Sequence, residues 1–421
     1  MVNAHEAKLE RITRSLKAAP KGARLKLYKG TVSHQVPMRT KPAHPVDVSG
    51  LDEIIDIDAD AMTCTCEPGV TFERLVRATL EHELVPVVVP ELKGITVGGA
   101  VAGCSIESTS FRNGGFHDTC LEYELVTATG ERLVCRPDNE HALLFQMQHG
   151  AFGTLGVLTQ LKFRLVPARP YVRMTYEKHA SLPQYLAAME GHAKDDSLDF
   201  IDGFIHGPGE MVVNLGRFVS DAPYTNRYDR LQVYFKSTRA RVEDYLTTYQ
   251  YFFRYDRGVT RVHPLLSSSQ VLWLAEKLQP IIGRATPSVT VDLFLPFSRV
   301  ERFFEWYARE LDFFPLWCVP YRRVRDYEWL APRFFEGVPD ELFLDLAIYG
   351  MRQPAGRNAY REIETALNLV GGMKTLISHN FYTEEEFWRI WNRQNHEAAK
   401  AVVDPLNVLG DLYTKTCLRH A

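Results

Sequence analysis

The sequence predicts an α+β protein in which a strand-rich domain, residues 1–168, is followed by a second domain, residues 169–421, that ends in helices. Between Leu25 and Val166, strand-like runs and a hairpin turn predominate, with short helical patterns between them. Near Arg169-Pro170 the pattern changes, and strands such as "EMVVNLGRF" and "VTVDLFLPF" then alternate with longer helices. A chain of 421 residues is long enough for two or three domains. We therefore expect antiparallel sheets in both parts.

The first domain opens with a short amphipathic helix, because Leu9, Ile12, Thr13 and Leu16 recur at helical spacing. The run "RLKLYKG" predicts a strand, and "DEIIDIDADAMTCTCEPGV" predicts two strands joined by an Asp-rich turn. An amphipathic helix follows in "TFERLVRATLEHEL", and "VPVVVP" is typical of a buried strand.

The later elements are predicted from the same kinds of sequence pattern. A hairpin is predicted in "LEYELVTATGERLVCRP", and "LLFQMQHGAFGTLGVLTQLKFRLVPA" predicts a helix, a glycine turn and a long strand. In the second domain "FSRVERFFEWYAREL" is a clear amphipathic helix, and "AGRNAYREIETALNLVGG" is a helix closed by a Gly-Gly stop. Thr383 and Glu386 have the spacing of a capping box at the start of the last helical region.

Composition excludes several classes of protein. The formal net charge of -3 provides no basic surface for a nucleic acid. Seven cysteines without a CxxC pair indicate reduced, intracellular thiols and no metal site, and Cys64 and Cys66 are predicted as structural strand residues. No segment has the ~18 consecutive apolar residues of a spanning helix, and the N-terminus lacks a signal-peptide core. We expect a cytoplasmic protein that is soluble or peripheral to the membrane.

The stretch "GITVGGAVAGCSIESTSFRNGG" raises the question of a bound nucleotide. A Rossmann fingerprint fails at Ala100, which stands where the second glycine is needed, and the Gly-Lys-Ser/Thr of a P-loop is absent. A helix starting at "AVAG" could offer free N–H groups to a pyrophosphate, and Ser105, Ser108 and Ser110 could donate to phosphate or ring oxygens. A tightly packed turn without any ligand explains the glycines equally well.

The order of four segments along the chain favours a nucleotide site over a packed turn. They are "LYKGTVSHQ", "PELKGITVGGAVAG", "GGFHDTCLEYELVTATGE" and "GAFGTLGVLTQLKFRLVPA". Their arrangement resembles the FAD-binding domain of the vanillyl-alcohol-oxidase type, also called PCMH-type, which is built from two subdomains. The resemblance implies non-covalent FAD; covalent attachment through His34 is the alternative. His117 and Asp118 are included by position only. The positions that match its cofactor loops are Lys29, Gly30, Thr31, Ser33, His34, Pro90, Thr96, Val97, Gly98, Gly99, Gly103, Ser105, Ile106, Ser108, Ser110, Gly115, His117, Asp118, Gly153, Thr154, Gly156 and Val157.

The segment "SIESTSFRNGG" narrows the resemblance to the sterol Δ24-reductase branch and, above all, to bacterial 10-methylene-fatty-acyl reductases. The similarity continues through "LDFIDGFIHGPGEMVV", "LDFFPLWCVPYR", "HNFYTEEEFW" and "DPLNVLGDLYTK", and so covers nearly the whole chain. The second domain is then an α+β substrate (cap) domain with an antiparallel sheet. The sterol enzymes carry a membrane-anchoring N-terminal segment, which this sequence lacks.

The resemblance implies reduction of an isolated carbon-carbon double bond in a lipid: a methylene-branched fatty acyl chain first, a sterol or isoprenoid side chain second. NADPH is expected to reduce FAD, reduced flavin N5 delivers hydride, and an acid supplies a proton in a dry pocket. The candidate catalytic residues are Glu107, Arg254, Asp256, His379 and Tyr382. Their structural alternatives are a helix cap for Glu107, a solvated ion pair for Arg254 and Asp256, and satisfied hydrogen bonds for His379 and Tyr382.

Two rival functions stay open: an FAD-dependent alcohol oxidase or dehydrogenase of the same fold, and a flavin-free lipid-binding or scaffold protein, which the glycine loops disfavour. The basic and aromatic segment "VPYRRVRDYEWLAPRFF" is either a solvated loop or a contact with the inner face of a membrane. The sequence makes no prediction of oligomeric state.

Overall fold

The computed structural model describes residues 4–20, 22–29, 44–228, 233–256 and 288–417. Within these ranges the strands form three sheets: a parallel pair, a six-stranded antiparallel sheet and an eight-stranded antiparallel sheet. The predicted α+β class and the antiparallel pairing of both main sheets are confirmed. None of the helices in these ranges has the length and apolarity needed to cross a membrane.

The strands fall into the three sheets by position in the chain. The parallel pair is β1 (Leu25–Tyr28) and β2 (His44–Asp47). The six-stranded sheet contains β3 (Ile54–Asp58), β4 (Thr63–Cys66), β5 (Leu84–Pro86), β6 (Cys120–Val126), β7 (Arg132–Cys135) and β8 (Val157–Pro167). The eight-stranded sheet contains β9 (Tyr171–His179), β10 (Phe200–Gly207), β11 (Glu210–Val219), β12 (Glu243–Thr247), β13 (Val289–Pro296), β14 (Leu316–Arg322), β15 (Leu342–Met351) and β16 (Met373–Lys374).

The helices are mostly short and pack on the sheets. They are α1 (Ala4–Ala18), α2 (Phe72–Leu80), α3 (Val97–Ala102), α4 (Ser110–Asn113), α5 (Ala142–Met147), α6 (Leu182–His192), α7 (Tyr234–Ser237), α8 (Thr248–Phe252), α9 (Val300–Glu310), α10 (Ala359–Val370), α11 (Glu384–Ile390), α12 (Arg393–Val403) and α13 (Leu412–Thr416). Three 3-10 turns lie at Phe116–Thr119, Phe297–Arg299 and Pro332–Phe335.

The first sheet is ordered β3-β4-β8-β6-β7, and the long strand β8 holds it together. Its first part pairs with β6 and β4, and its last residues pair with the short strand β5. The run "VPVVVP" was predicted as a strand throughout, but only Leu84–Pro86 pairs. Residues 87–90 stay buried without strand pairing, and proline at 86 and 90 removes two of the N–H donors that pairing needs.

The eight-stranded sheet, ordered β12-β9-β11-β10-β14-β15-β13-β16, has two different faces because successive side chains alternate. Val291, Leu293 and Leu295 on β13 point to a core shared with α6, α9 and α10. The opposite face, which carries Trp317 and Phe343, joins a core shared with the strands and helices before residue 168. The two main sheets are therefore linked by one apolar core. Whether residues 1–168 and 169–421 fold as separate domains stays a prediction.

Residues after α11 pack against the first part of the chain. Helix α12 packs on α5, and the backbone N–H of Ala128 donates to the carbonyl of Val403 at 2.8 Å. The N–H of Leu25 donates to the carbonyl of Val408 at 2.8 Å. Helix α1 packs here too, because its buried residues Leu9, Ile12 and Leu16 form a small core with Leu409 and neighbouring strand residues.

Candidate active site

The glycine stretch forms the short helix α3, capped by Thr96 rather than beginning at "AVAG". The prediction of free N–H groups at its start is wrong. The N–H of Val97 donates to Val70 O and that of Gly98 to Pro68 O, both at 2.9 Å, while that of Gly99 donates to Thr96 Oγ1 at 3.2 Å. Since these donors are satisfied within the protein, this helix end is not a ready-made phosphate site.

Gly98 has a packing role that the sequence did not reveal. A Cβ at Gly98 would lie 2.5 Å from Pro68 Cβ, so glycine lets the helix touch the turn after β4. The hydroxyls predicted as cofactor donors are also engaged: Ser110 Oγ accepts from Glu107 N at 2.9 Å, and Ser108 Oγ bonds to Tyr251 Oη at 2.8 Å. Close packing accounts for the glycine at 98, and contact of Gly98, Gly99, Ser108 and Ser110 with the cofactor stays a prediction.

The second glycine-rich turn, residues 150–156, has an unusual backbone. Gly150, Gly153 and Gly156 have φ values of +69°, +69° and +89°, and Phe152 also has positive φ at 49°. A Cβ at Gly156 would lie 3.2 Å from Val126 O. Such conformations favour glycine, and a non-glycine residue held there is strained. The turn is thus fixed in shape by its neighbours, as expected of a loop that supports a ligand.

Two lysines from the C-terminal segment reach this turn, and the sequence did not single out either one. Lys400 Nζ donates to Thr154 O at 3.2 Å and pairs with Asp404 at 2.5 Å. Lys415 Nζ donates to Gly153 O at 3.3 Å, and burial together with the charge of Lys400 lowers its pKa to about 8. Lys415 ends the segment "DPLNVLGDLYTK", whose resemblance to the reductases is a signal that could have pointed to it.

A cavity lies between the glycine loops and the inner face of the eight-stranded sheet. Its wall is strongly apolar and rich in aromatic rings. The first part of the chain contributes Gly103, Cys104, Ile106, His117, Gly150 and Phe152. The remainder of the wall comes from Phe294, Tyr321, Arg323, Tyr327, Trp329, Leu330, Phe334, Phe335, Phe343, Met373, Thr375, Leu376 and Trp391.

The segment "VPYRRVRDYEWLAPRFF" supplies much of this wall. Tyr321, Tyr327 and Trp329 are buried, and Arg323 stacks over the Phe335 ring at 4.2 Å. The segment therefore combines buried aromatic anchors with exposed positions such as Val324, Asp326 and Glu328, as expected of a solvated loop with scattered anchors. Its contact with a membrane stays a prediction.

His117 lies on the cavity wall, next to Asp118. His117 is buried, and among the residues that the structure describes neither ring nitrogen makes a hydrogen bond, although Nε2 lies 3.2 Å from Asp118 Oδ2. Burial lowers the pKa of His117, so the ring is neutral near pH 7. Asp118 accepts from Gly115 N at 2.9 Å and Tyr327 Oη at 3.0 Å, and pairs with Arg325 at 3.0 Å. A buried imidazole on a cavity wall whose nitrogens make no hydrogen bond within the described residues fits a polar ligand edge.

Glu107 and Arg254 meet below the cavity, and both are buried. Arg254 Nη2 lies 3.5 Å from Glu107 Oε1 and 2.9 Å from Asp202 Oδ2 on β10. Burial raises the pKa of Glu107 to about 7, against the opposing effect of Arg254. Asp202 was missed by sequence reasoning, although an aspartate inside the apolar run "LDFIDGFIHG" is a signal that could have found it.

Asp256 is separate from this pair. Its Oδ1 accepts from the backbone N–H of Lys93 at 3.2 Å, and the residue is 3% exposed. The interpretation of Arg254 and Asp256 as a solvated ion pair is therefore wrong, because both side chains are buried and Arg254 pairs with Asp202 and Glu107.

Further carboxyl groups gather on the inner face of the sheet. Asp345 is opposite Phe294 in the register of β15 with β13, and it accepts from Leu293 N at 3.0 Å. Burial raises the pKa of Asp345 well above its ordinary value, that of Asp292 to about 6 and that of Glu91 to about 8. This face therefore holds protons near neutral pH.

His379 and Tyr382 follow β16 beside a buried ammonium. Lys374 Nζ contacts His379 O at 2.7 Å, Asn380 Oδ1 at 2.5 Å and Glu364 Oε1 at 3.2 Å. The His379 ring packs on Tyr360 with centroids 5.4 Å apart. Tyr382 packs on Trp391 of the cavity wall at 5.6 Å, and its buried hydroxyl has no hydrogen-bond partner in the part of the chain that the structure describes.

The other predicted cofactor residues divide into three groups. Gly30, Thr31, Ser33 and His34 lie outside the described residues. Lys29 is exposed at the end of the described part of that loop. Gly103 and Ile106 line the cavity, whereas the following positions are not among its lining residues: Pro90, Thr96, Val97, Ser105, Gly115, Gly156 and Val157. Their contact with a cofactor stays a prediction.

Comparisons with known proteins give a family match in the first part of the chain and relatives that cover most of it. Residues 8–136 match the family described as an FAD binding domain. The chain is 24% identical to the Delta(24)-sterol reductase homolog of Caenorhabditis elegans, covering 99% of this chain and 88% of the relative. It is 23% identical to the Delta(24)-sterol reductase of Homo sapiens, covering 90% and 78%. For the enzyme of Arabidopsis thaliana the identity is 25%, covering 88% and 76%.

These findings identify an FAD-dependent oxidoreductase with an FAD-binding domain near its N-terminus. The cavity fits the cofactor's ring: its aromatic and glycine wall suits a flat heterocycle, and His117 offers buried, unbonded nitrogens to a polar edge. The strained turn at 150–156, with Lys415 beside it, provides a further polar contact zone. Among the residues described, no cluster of three or more His, Cys, Asp or Glu side chains could hold a metal ion.

Proposed function

We propose that this protein reduces an isolated carbon-carbon double bond in the apolar part of a lipid, with NADPH as the electron donor for FAD. The observation that supports the proposal is the aromatic-walled cavity, which is also lined by Gly103, Cys104 and Ile106 of the glycine stretch predicted to hold FAD. A substrate with a carbonyl or a hydroxyl at the reacting carbon would call for polar partners at that point, whereas the wall presents mainly rings and aliphatic groups.

The relatives called Delta(24)-sterol reductases support a sterol side chain as the substrate. The sequence resemblance to 10-methylene-fatty-acyl reductases supports a methylene-branched acyl chain. Both substrates present an unpolarised alkene at the end or side of a flexible hydrocarbon. The apolar and aromatic wall of the cavity suits such an apolar end.

The chain's own contributions follow from the site. FAD, when bound and reduced, supplies a hydride to one alkene carbon. Phe294, Phe343 and Trp391 line the cavity and keep water from the reacting bond. A proton for the second carbon must come from an acid that keeps its proton in a dry surrounding. Glu107 is the candidate nearest to the flavin loop in sequence, next to the cavity residue Ile106, and the hydroxyl of Tyr382 is the alternative.

The proposal is tested by anaerobic half-reactions of the FAD-loaded protein. NADPH should bleach the flavin, and a sterol with an unsaturated side chain or a methylene-branched acyl lipid should then restore the oxidised spectrum. Mass spectrometry should find the lipid heavier by two hydrogens. Bleaching by simple alcohols, with peroxide formed in air and no alkene turnover, would instead establish an oxidase of the same fold.

A further inference from the structure

A buried cluster of one cation and two carboxyl groups lies beneath the flavin loop. Asp202 Oδ2 receives three donors: Arg254 Nη2 at 2.9 Å, Tyr255 Oη at 2.5 Å and Trp317 Nε1 at 3.0 Å. Three donors on one oxygen indicate an ionised carboxylate, since hydrogen bonds to the charged form stabilise it. Asp202 is therefore the primary partner of Arg254.

Glu107 then has no cation of its own. Its Oε1 is 3.5 Å from the same Arg254 Nη2, beyond hydrogen-bond contact, and its residue is 2% exposed. The guanidinium is enclosed by the rings of Tyr251 at 4.0 Å and Tyr255 at 4.4 Å, so solvent does not screen the cluster. One cation with two anions would leave a buried net negative charge, which a protein avoids by binding a proton.

Buried polar atoms without hydrogen bonds are a second observation, independent of the charges. Glu107 Oε1, Asp202 Oδ1 and Arg254 Nε are all buried and make no hydrogen bond within the part of the chain that the structure describes. Buried polar atoms of this kind are uncommon and point to a group that the fold keeps ready for use. They occur on side chains that are 1 to 2% exposed.

We propose that Asp202 is the positioning residue that occupies Arg254 and so keeps Glu107 protonated, making Glu107 the acid that supplies the proton when a double bond is reduced. The catalytic part of this inference rests on the proposed function, whereas the protonation of Glu107 does not. Burial raises the pKa of the Glu107 carboxyl to about 7, which agrees with a protonated Glu107.

The reaction balances with this assignment. The alkene gains a hydride, with its electron pair, from the reduced cofactor and a proton from the Glu107 carboxyl. Glu107 is left as a carboxylate, which the charge of Arg254 stabilises across 3.5 Å. A proton from water then restores the acid. Asp202 remains ionised throughout, and Arg254 remains charged.

The groups that act electrically on Glu107 come from three elements. Arg254, after helix α8, favours its ionised form, whereas Asp202 on β10 favours its neutral form. Glu91, before α3, is a second carboxyl group coupled to it by charge, and Tyr251 on α8 is coupled as a neutral phenol. A change in protonation must therefore be assigned by comparing variants of these residues.

Infrared difference spectroscopy of the FAD-loaded protein tests the inference without any substrate. The carbonyl stretch of a protonated carboxyl group, followed against pH in H₂O and D₂O, should titrate near neutral pH and disappear in E107Q. In D202N, Arg254 is free to pair with Glu107, so the titration midpoint should fall by at least about one pH unit, a tenfold change. In R254Q the midpoint should rise by a similar amount.

The controls separate this inference from the proposed function. E91Q should remove a different carboxyl band and leave the Glu107 band in place. A band unchanged in E107Q, or a midpoint unmoved in both D202N and R254Q, would overturn the inference. If wild-type protein reduces no lipid alkene while the infrared results hold, the proposed function fails and the protonation of Glu107 stands. If alkenes are reduced, the alkaline limit of the rate should shift to lower pH in D202N.

Discussion

His117, on the wall of the apolar cavity, packs against His149 behind it with ring centroids 4.8 Å apart. Only His149 makes a hydrogen bond, from Nε2 to Tyr123 Oη at 3.1 Å. Burial lowers the pKa of both rings, so the pair stays neutral near pH 7. The two rings therefore pack against each other, but His117 lies on the cavity wall, whereas His149 contacts Tyr123 inside the protein.

This difference predicts unequal effects on cofactor binding. His117→Phe keeps the ring packing but removes the nitrogens offered to the flavin, so the dissociation constant of FAD should rise about tenfold, or roughly 1.4 kcal/mol. His149→Phe, the matched control, should change it by no more than about twofold. Titration of apoprotein with FAD, followed by flavin fluorescence, measures both. Equal affinities would mean that His117 does not contact the cofactor.

The glycine pair at the start of α3 predicts unequal effects on stability. Gly98→Ala forces a Cβ to within 2.5 Å of Pro68 and should lower the free energy of unfolding by about 1–3 kcal/mol. Gly99→Ala meets only Thr96 Oγ1, at 3.0 Å, and gains helix propensity, so its change should stay within about 1 kcal/mol. Urea unfolding of the two variants decides the point. A large loss of unfolding free energy in Gly99→Ala alone would contradict the packing argument.

His5 predicts a pH dependence of stability. Its Nδ1 lies 2.8 Å from Glu67 Oε1 and its Nε2 lies 3.2 Å from Glu124 Oε1, with Lys8 and Arg132 on the far sides of these carboxylates. Hydrogen bonds to Glu124 and then Glu67 raise the pKa of His5 from 6.5 to about 9. The stabilisation is complete below 6.5 and is lost as pH rises through about 9.

The measurement compares the wild type with His5→Gln. The unfolding free energy of the wild type should fall by about 1–3 kcal/mol between roughly pH 6 and pH 10. The variant should lose clearly less over the same range, because glutamine does not titrate. Parallel curves for the two proteins would assign the pH dependence to other groups.

Lys374 and Glu364 form a buried pair 3.2 Å apart, with 0% exposure of both side chains. Lys374→Met leaves Glu364 with only the more distant and partly exposed Arg361, at 3.7 Å, and should cost about 3 kcal/mol of stability. The double variant Lys374→Met with Glu364→Gln removes both charges and should recover a large part of that loss. Thermal unfolding of the three proteins provides the comparison. A double variant no better than the single one would show that the pair's hydrogen bonds outweigh its charges.

Local patterns in the sequence were sufficient for most elements. Thr383 and Glu386 form both bonds of the predicted capping box, because a cap depends only on residues within one turn. The strand around Cys64 and Cys66 was predicted for the same reason, and both thiols are buried there.

The site was harder to predict, since its contacts are distant in sequence. Glu107, Asp202 and Arg254 come from three separate segments, and only the folded sheet brings them together. Gly98 has a partner that the motif did not reveal, because it packs against Pro68, while its predicted contact with the cofactor stays a prediction. Sequence patterns record which residues are small or charged, whereas the partner that explains them is supplied by tertiary structure.

The return of residues 400–417 to the first part of the chain has a consequence for biosynthesis. Val403 and Val408 accept hydrogen bonds from Ala128 and Leu25, and Lys400 and Lys415 hold the turn at Gly153 and Thr154. These residues are synthesised long after the strands that they complete. We expect a newly made chain to acquire FAD only once residues 400–417 have been made, so a truncation before residue 400 should yield colourless protein even though residues 8–136 are intact.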